Sequence, residues 1–332
     1  LTFQGNDIIL GHTDTMTFSS SAGTHLVTIA SNITGSGGLR IDSAGDLTVV
    51  LSGTNTLNSN IAVAGGDTLS ISSDANLGAG NITISTGTLL VTGATTIDNQ
   101  IRLINSASTI NTGADVTISS VVYDTGTGGL IKTGTGTLTL SGANTYAGTT
   151  TVSNGTLSIA SDGNLGGGNV VLNGGNLAVT GATTIDNGIT LSSAATITNS
   201  ADVTLSNVIS GTNNLTKAGA STLTLSGTNT YSGTTNVNAG TLSVASDSNL
   251  GGGAVTLASG TTLAITGTTI IDNNITLNGS ATLDNSAAVT LSGVENVIGS
   301  AFADTLTGDA GANRLDGGVG DDAVFGGAGD DV

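Results

Sequence analysis

Apolar side chains recur at every second position along most of this chain, in short runs. Leu138 alternates with Leu140, Leu157 with Ile159, Leu177 with Val179, Val203 with Leu205, Leu223 with Leu225, Leu242 with Val244, and Leu263 with Ile265. Between the runs lie clusters of Gly, Asn, Asp and Ser, among them Asn154-Gly155, Asn173-Gly174 and Asn187-Gly188. A period of two predicts short strands with one face buried, and the clusters predict the turns that separate them. No segment carries a convincing helical period.

The runs are also copies of one another. Lys132 opens a block that passes through Leu138-Thr139-Leu140-Ser141-Gly142 to Tyr146. Lys217 opens the same block through Leu223-Thr224-Leu225-Ser226-Gly227 to Tyr231, and the offset is identical at both ends. Asp162-Gly163-Asn164-Leu165-Gly166-Gly167-Gly168 returns as Asp247-Ser248-Asn249-Leu250-Gly251-Gly252-Gly253, and an earlier copy starts at Asp74. Such a chain stacks similar modules, and its function resides in an extended surface more than in one cleft. Three long modules follow, at about 39–129, 130–214 and 215–293, the first being the most degenerate. Residues 1–38 read as further rungs or an N-terminal cap. From 294 to 332 the texture changes to a glycine-aspartate rhythm.

An all-β parallel β-helix accounts for this pattern better than an antiparallel sandwich. Successive turns stack about 4.8 Å apart, so equivalent positions pile into ladders: aliphatic inside, Thr, Ser and Asn outside and at the turns. At roughly 20 residues per turn, each long module makes about four turns. Aromatics are only 2% of the chain, which suits a narrow interior filled by Leu, Ile, Val, Ala and Thr.

Charge narrows the function. Five Lys and Arg against 23 acidic residues give a net charge of −18, and the five cations are scattered. Nucleic acid is excluded as a partner, because its phosphates demand clustered cations. Anionic membrane surfaces are disfavoured for the same reason, and no apolar run is long enough for direct membrane insertion by a helix. With no Cys, neither a disulfide nor a thiolate site exists. A single Glu, Glu295, and two His, His12 and His25, offer poor material for acid–base chemistry, so the chain reads as no enzyme. A polysaccharide-degrading β-helix enzyme is the alternative set aside on that ground.

Several smaller features read as structural. Asp98-Asn99, Asp186-Asn187 and Asp272-Asn273 recur as turn residues rather than as a cation-binding row. Tyr146 and Tyr231 are expected to cover turns and to find a hydrogen-bond partner for each hydroxyl. Lys132 and Lys217 are expected to be solvated loop charges. His12, Asp14 and His25 lack the third ligand or nucleophile that a site would need.

The segments Gly134–Val152 and Gly219–Thr235 resemble the autotransporter-associated β-strand repeat of bacterial surface proteins. The resemblance implies a right-handed parallel β-helix exported to the cell surface or beyond it, acting as a stalk or adhesin. Its expected partners are host or cell-surface glycans or proteins, or the chain itself in a filament or surface layer.

The tail resembles the hemolysin-type (RTX) calcium-binding nonapeptide, Gly-Gly-x-Gly-x-Asp-x-apolar-x. Residues 317–325 read Gly317-Gly318-Val319-Gly320-Asp321-Asp322-Ala323-Val324-Phe325, and Gly326-Gly327-Ala328-Gly329-Asp330-Asp331-Val332 begins a further copy. Looser copies place Asp304 and Asn313 at the sixth position. The resemblance implies a calcium β-roll in which two nonapeptides make one turn, so Asp304 pairs with Asp322 and Asn313 with Asp331. Gly318, Gly320, Gly327 and Gly329 form the binding turns. Ca²⁺ takes six to eight oxygens, which carboxylates and backbone carbonyls supply. Seven of the chain's 22 Asp fall in 299–332, a density that a bound cation would relieve. The alternative reading is a solvated acidic tail. The RTX resemblance implies type I secretion, whereas the β-strand repeat implies an autotransporter passenger.

Overall fold

The computed structural model describes residues 1–12, 14–278, 281–285, 289–292, 296–298, 305–307, 314–327 and 329–330, with backbone alone at 285, 289–292, 296–298 and 305–307. Every pair of strands described is parallel. The chain is an all-β solenoid, and it divides into two compact units: residues 1–159 with 163–171, and residues 160–162 with 172–332.

In the first unit one sheet stacks Thr24–Ile29, Asp46–Leu51, Thr68–Ile71, Thr88–Val91, Ser108–Thr112, Leu130–Thr133 and Thr150–Val152 in chain order. A second runs from Thr15–Phe18 to Val122–Asp124, and a third begins at Thr95–Ile97 and includes Thr137–Leu140 and Thr156–Ile159. In the second unit Thr183–Ile185, Val203–Leu205, Thr222–Leu225, Thr241–Val244, Thr262–Ile265 and Thr282–Asn285 stack into one sheet, beside another from Asn176–Val179 to Ile275–Leu277.

The register shows why the alternation was informative. Leu223 lies against Leu242, Leu242 against Leu263, and Leu263 against Leu283. Each step advances the chain by one turn of the expected length. Leu138 pairs with Leu157 and Leu140 with Ile159 in the first unit. All eight of the strand residues Leu138, Leu140, Leu157, Ile159, Leu223, Leu225, Leu242 and Val244 are buried. Each such side chain contributes about 1.5–3 kcal/mol relative to leaving it in water. Threonines on the opposite face of the strands stack outward, as in Thr222, Thr241, Thr262 and Thr282.

The corners bury polar groups by a repeated device. Asn144 Oδ1 accepts from the Val122 N–H (2.7 Å), its Nδ2 donates to the Asn164 carbonyl, and Asn164 Nδ2 donates to the Gly142 carbonyl (3.0 Å). Asn229 with Asn249, and Asn55 with Asn76, make the same three bonds. Each stacked asparagine thus satisfies backbone groups that the turn removes from the sheet ladder. The Asp-x-Asn phrase that carries the second member of each pair forms a single turn of 3₁₀ helix, at Asp74–Asn76, Asp162–Asn164 and Asp247–Asn249. Asn99 and Asn273 confirm the turn reading of the Asp-Asn pairs: they point inward, and each Nδ2 bridges two glycine carbonyls at 2.7–2.8 Å.

Lys132 and Lys217 are not solvated loop charges. Both are fully buried, in strands Leu130–Thr133 and Leu215–Ala218. Lys132 takes the ladder position between Ile110 and Val152, and Lys217 that between Ile197 and Val237. The aliphatic stem replaces a branched side chain in the interior, and Nζ reaches the corner. There Lys132 Nζ donates to the carbonyls of Thr133 (2.9 Å), Gly134 (2.9 Å) and Asn154 (3.0 Å). Lys217 Nζ donates to Asn199 Oδ1 (2.9 Å) and to the carbonyls of Ala218 (3.2 Å) and Gly219 (2.7 Å). Three acceptors match the three protons of an ammonium.

Burial pushes both amines down, to about 8, with Asp115 pulling Lys132 part of the way back. Since the unfolded chain holds these protons up to its ordinary lysine value, folding stability rises as pH climbs from about 8 towards 10. The gain is on the order of 1 kcal/mol per lysine, because each Nζ sits at a corner, close to the surface, where solvent screens its charge. Burial raises Tyr146 and Tyr231 instead, so above pH 10 the sign reverses and stability falls. Urea melts across pH 7–11 should therefore show a maximum near 10. The double variant Lys132→Met, Lys217→Met should lose the rising limb; a rising limb that survives it would refute the assignment.

Candidate metal centre

The coil tightens at the C-terminal end of the second unit. Asn296–Ile298 pairs in parallel with Arg314–Asp316, and Thr305–Thr307 with Ala323–Phe325. Both offsets equal two nonapeptides, so alternate copies stack as the repeat spacing requires. The strands are three residues long, because each nonapeptide gives most of its length to the glycine turn.

The two turns described share one geometry. Gly318 and Gly327 have φ of +84° and +92°, and Gly320 and Gly329 have +155° and +146°. The same backbone states recur one nonapeptide apart, and only glycine adopts them without strain. The loop so formed folds the sixth-position carboxylate back over the first glycine. A Cβ placed on Gly317 would lie 2.6 Å from Asp322 Oδ2 and 2.7 Å from its Cβ. Asp322 is half-buried there. Asp316, the last residue of the preceding repeat, accepts the Gly318 N–H at 3.1 Å and pins the start of the turn. Asp316 was not among the sequence candidates, although an Asx residue two positions before a turn N–H is a known cap.

This arrangement fits a hard cation. A carboxylate is the kind of donor such an ion takes, and Gly317 keeps open the space where a side chain would block it. Of the candidate residues, Gly318, Gly320, Asp322, Gly327 and Gly329 lie in the described turns; Asp304, Asn313 and Asp331 lie outside the described residues. Among the described residues, His, Cys, Asp and Glu side chains form no cluster of three or more. Asp74 and Asp98 act as turn groups. Asp74 Oδ1 accepts the Asp98 N–H at 3.4 Å, and burial raises the Asp74 carboxyl above its ordinary value.

Three comparisons bear on what these parts are. The passenger-associated transport repeat matches residues 130–159 and 215–244, the equivalent segments of two successive modules. The RTX calcium-binding nonapeptide repeat, in four copies, matches 298–332. An adhesin, the BmaC autotransporter of Brucella suis biovar 1 (strain 1330), is 42% identical over 86 residues, 25% of this chain. The chain spans 2% of that protein's length. No solved structure matches. The chain thus joins passenger-type solenoid repeats to RTX calcium-binding nonapeptides, and it is a secreted or cell-surface protein similar to an autotransporter adhesin.

Proposed function

We propose that this chain is a surface stalk or adhesin segment that performs no catalysis and whose C-terminal part folds on Ca²⁺. The observation that carries the reading is the junction of two parts: a repeated solenoid and a glycine turn that returns a carboxylate over Gly317. Asp322 would hold the ion together with carbonyls of the turns at Gly318, Gly320, Gly327 and Gly329. Asp304, Asn313 and Asp331 stand at the same position of their own copies. The ion would supply positive charge among seven aspartates and link one turn to the next. Low Ca²⁺ before export would then keep the tail open, and higher Ca²⁺ outside would close it.

The adhesive surface is the outward face of the sheets, where threonine and other short polar side chains repeat at strand spacing. Weak contacts repeated along such a face gain by multivalency. Beads coated with the chain should bind cultured cells or a glycan array in millimolar Ca²⁺, and lose much of that binding in EGTA. Beads that bind neither, at high coating density and with Ca²⁺ present, would refute the adhesive reading.

A further inference from the structure

The chain holds four Asn-Gly dipeptides, at Asn154, Asn173, Asn187 and Asn278. One of them, Asn154, is placed to react with its own chain. Asn154 is exposed in the turn between Thr150–Val152 and Thr156–Ile159, and the Gly155 N–H donates to Asn154 Oδ1 at 2.7 Å. A side-chain amide oxygen so close to the next residue's nitrogen puts Cγ beside that nitrogen too. Rotation about the Cβ–Cγ bond leaves Cγ in place, moves Oδ1 aside and turns the face of the amide carbon towards nitrogen. That is a near-attack arrangement for ring closure.

The peptide between the two residues is also polarised. The buried Lys132 ammonium donates to the Asn154 carbonyl at 3.0 Å. When the Gly155 N–H loses its proton, the negative charge spreads onto that carbonyl oxygen. A fixed cationic donor already in contact with it stabilises the anion. Gly155, at φ +66°, presents no side chain to hinder attack.

We propose that Asn154-Gly155 is a self-modifying site, at which Lys132 assists conversion of the asparagine to aspartate and isoaspartate. The Gly155 nitrogen gives its proton to solvent and bonds to Asn154 Cγ. The Cγ–Nδ2 bond breaks, and Nδ2 takes up a solvent proton and leaves as ammonia. Water then opens the five-membered imide at either carbonyl, giving aspartate or isoaspartate. The isoaspartate carries an extra methylene in the main chain at a turn that sets strand register. Either product places an anion beside Lys132.

The chain contains its own controls. The equivalent position in the next module is Ala239-Gly240, which cannot react, and the Lys217 Nζ is bonded to Asn199, Ala218 and Gly219. Asn187 is buried. Asn173 is exposed, but among the described residues it makes no such contact with the Gly174 N–H. Asn207 makes the same contact with its neighbour's N–H (2.7 Å), yet that neighbour is the branched Val208 and no lysine reaches it.

Peptide mapping by mass spectrometry of the intact chain, aged at pH 7.4 and 37 °C, tests this. Conversion at Asn154 should exceed that at Asn173 by about tenfold or more, the effect of one charge-assisted bond to the reacting group. It should also be faster in the folded chain than in the same chain in urea, where Lys132 is elsewhere; this comparison needs no variant. Lys132→Met, checked for folding by circular dichroism, should bring Asn154 down to the Asn173 rate. If Asn154 reacts no faster folded than denatured, or if folded Lys132→Met reacts at the wild-type rate, the proposal is wrong.

Discussion

Tyr146→Ala should lower the unfolding free energy by about 3–5 kcal/mol, the range for emptying a large aromatic site in a core. The ring is wholly buried in a solenoid that holds few other aromatics. Its hydroxyl bonds Thr150 Oγ1 at 2.6 Å, and Gly166 on the next turn lies flat against the ring, with no room for a Cβ. The narrow interior cannot collapse into the gap, because its walls are three hydrogen-bonded sheets fixed at strand spacing. Tyr146→Phe should lose only the hydroxyl contact, about 1–2 kcal/mol. Gly166→Val should destabilise from the other side by overpacking. Tyr231, Thr235 and Gly251 repeat the arrangement, so Tyr231→Ala should match Tyr146→Ala in size. Urea melts would show this as a fall in midpoint with the slope retained. A loss below about 1 kcal/mol in both tyrosine variants would show that the rings do not hold the turns together.

The second large effect concerns calcium. Arg314 is the one tryptic site within the nonapeptide region, and it lies in the strand Arg314–Asp316 paired with Asn296–Ile298. Cleavage there requires that strand to open. If Ca²⁺ binds the closed form alone, free ion at about 100 times its dissociation constant stabilises it by about 2.7 kcal/mol, which slows cutting at Arg314 about 100-fold. Asp322→Ala should remove most of this protection. Cleavage at Lys132 and Lys217, both buried in the solenoid, should stay slow with or without the ion. Equal cutting at Arg314 in Ca²⁺ and in EGTA would contradict calcium-driven closure.

Much of the fold was legible because a parallel solenoid repeats its chemistry at a fixed interval. The alternation of Leu223 with Leu225 and the nonapeptide spacing each map onto register seen in the structure. What escaped were residues whose type contradicts their place. A lysine suggests water, but Lys132 follows Leu130 by two positions in one strand and so shares its inward face. Parity was the better guide than charge, and a free corner with three carbonyls made the charge tolerable. The stacked asparagines escaped for a different reason. Asn144 and Asn164 are a full turn apart in sequence, and their partnership exists only once one turn sits on the next. The glycine turns of the candidate site were legible as a spacing, while Asp316 was hidden because its role depends on where the turn begins.

The change of coil length has a consequence for how the proposed calcium-dependent folding of the tail would start. The sheet strand Val289–Ser292, stacked on Thr269–Ile271, continues directly into Thr305–Thr307 and then Ala323–Phe325. The tail's first strands therefore grow on an edge whose backbone groups are already aligned. An isolated nonapeptide pair must find its own conformation before any ion can bridge it, and that search opposes binding. On a preformed edge part of the search is already done, so the affinity of the proposed calcium site would belong to the junction as much as to the aspartates. On the calcium reading proposed above, the solenoid would act on the glycine turns as a seed acts on a crystal: it would supply no ligand, yet it would set the threshold at which order spreads.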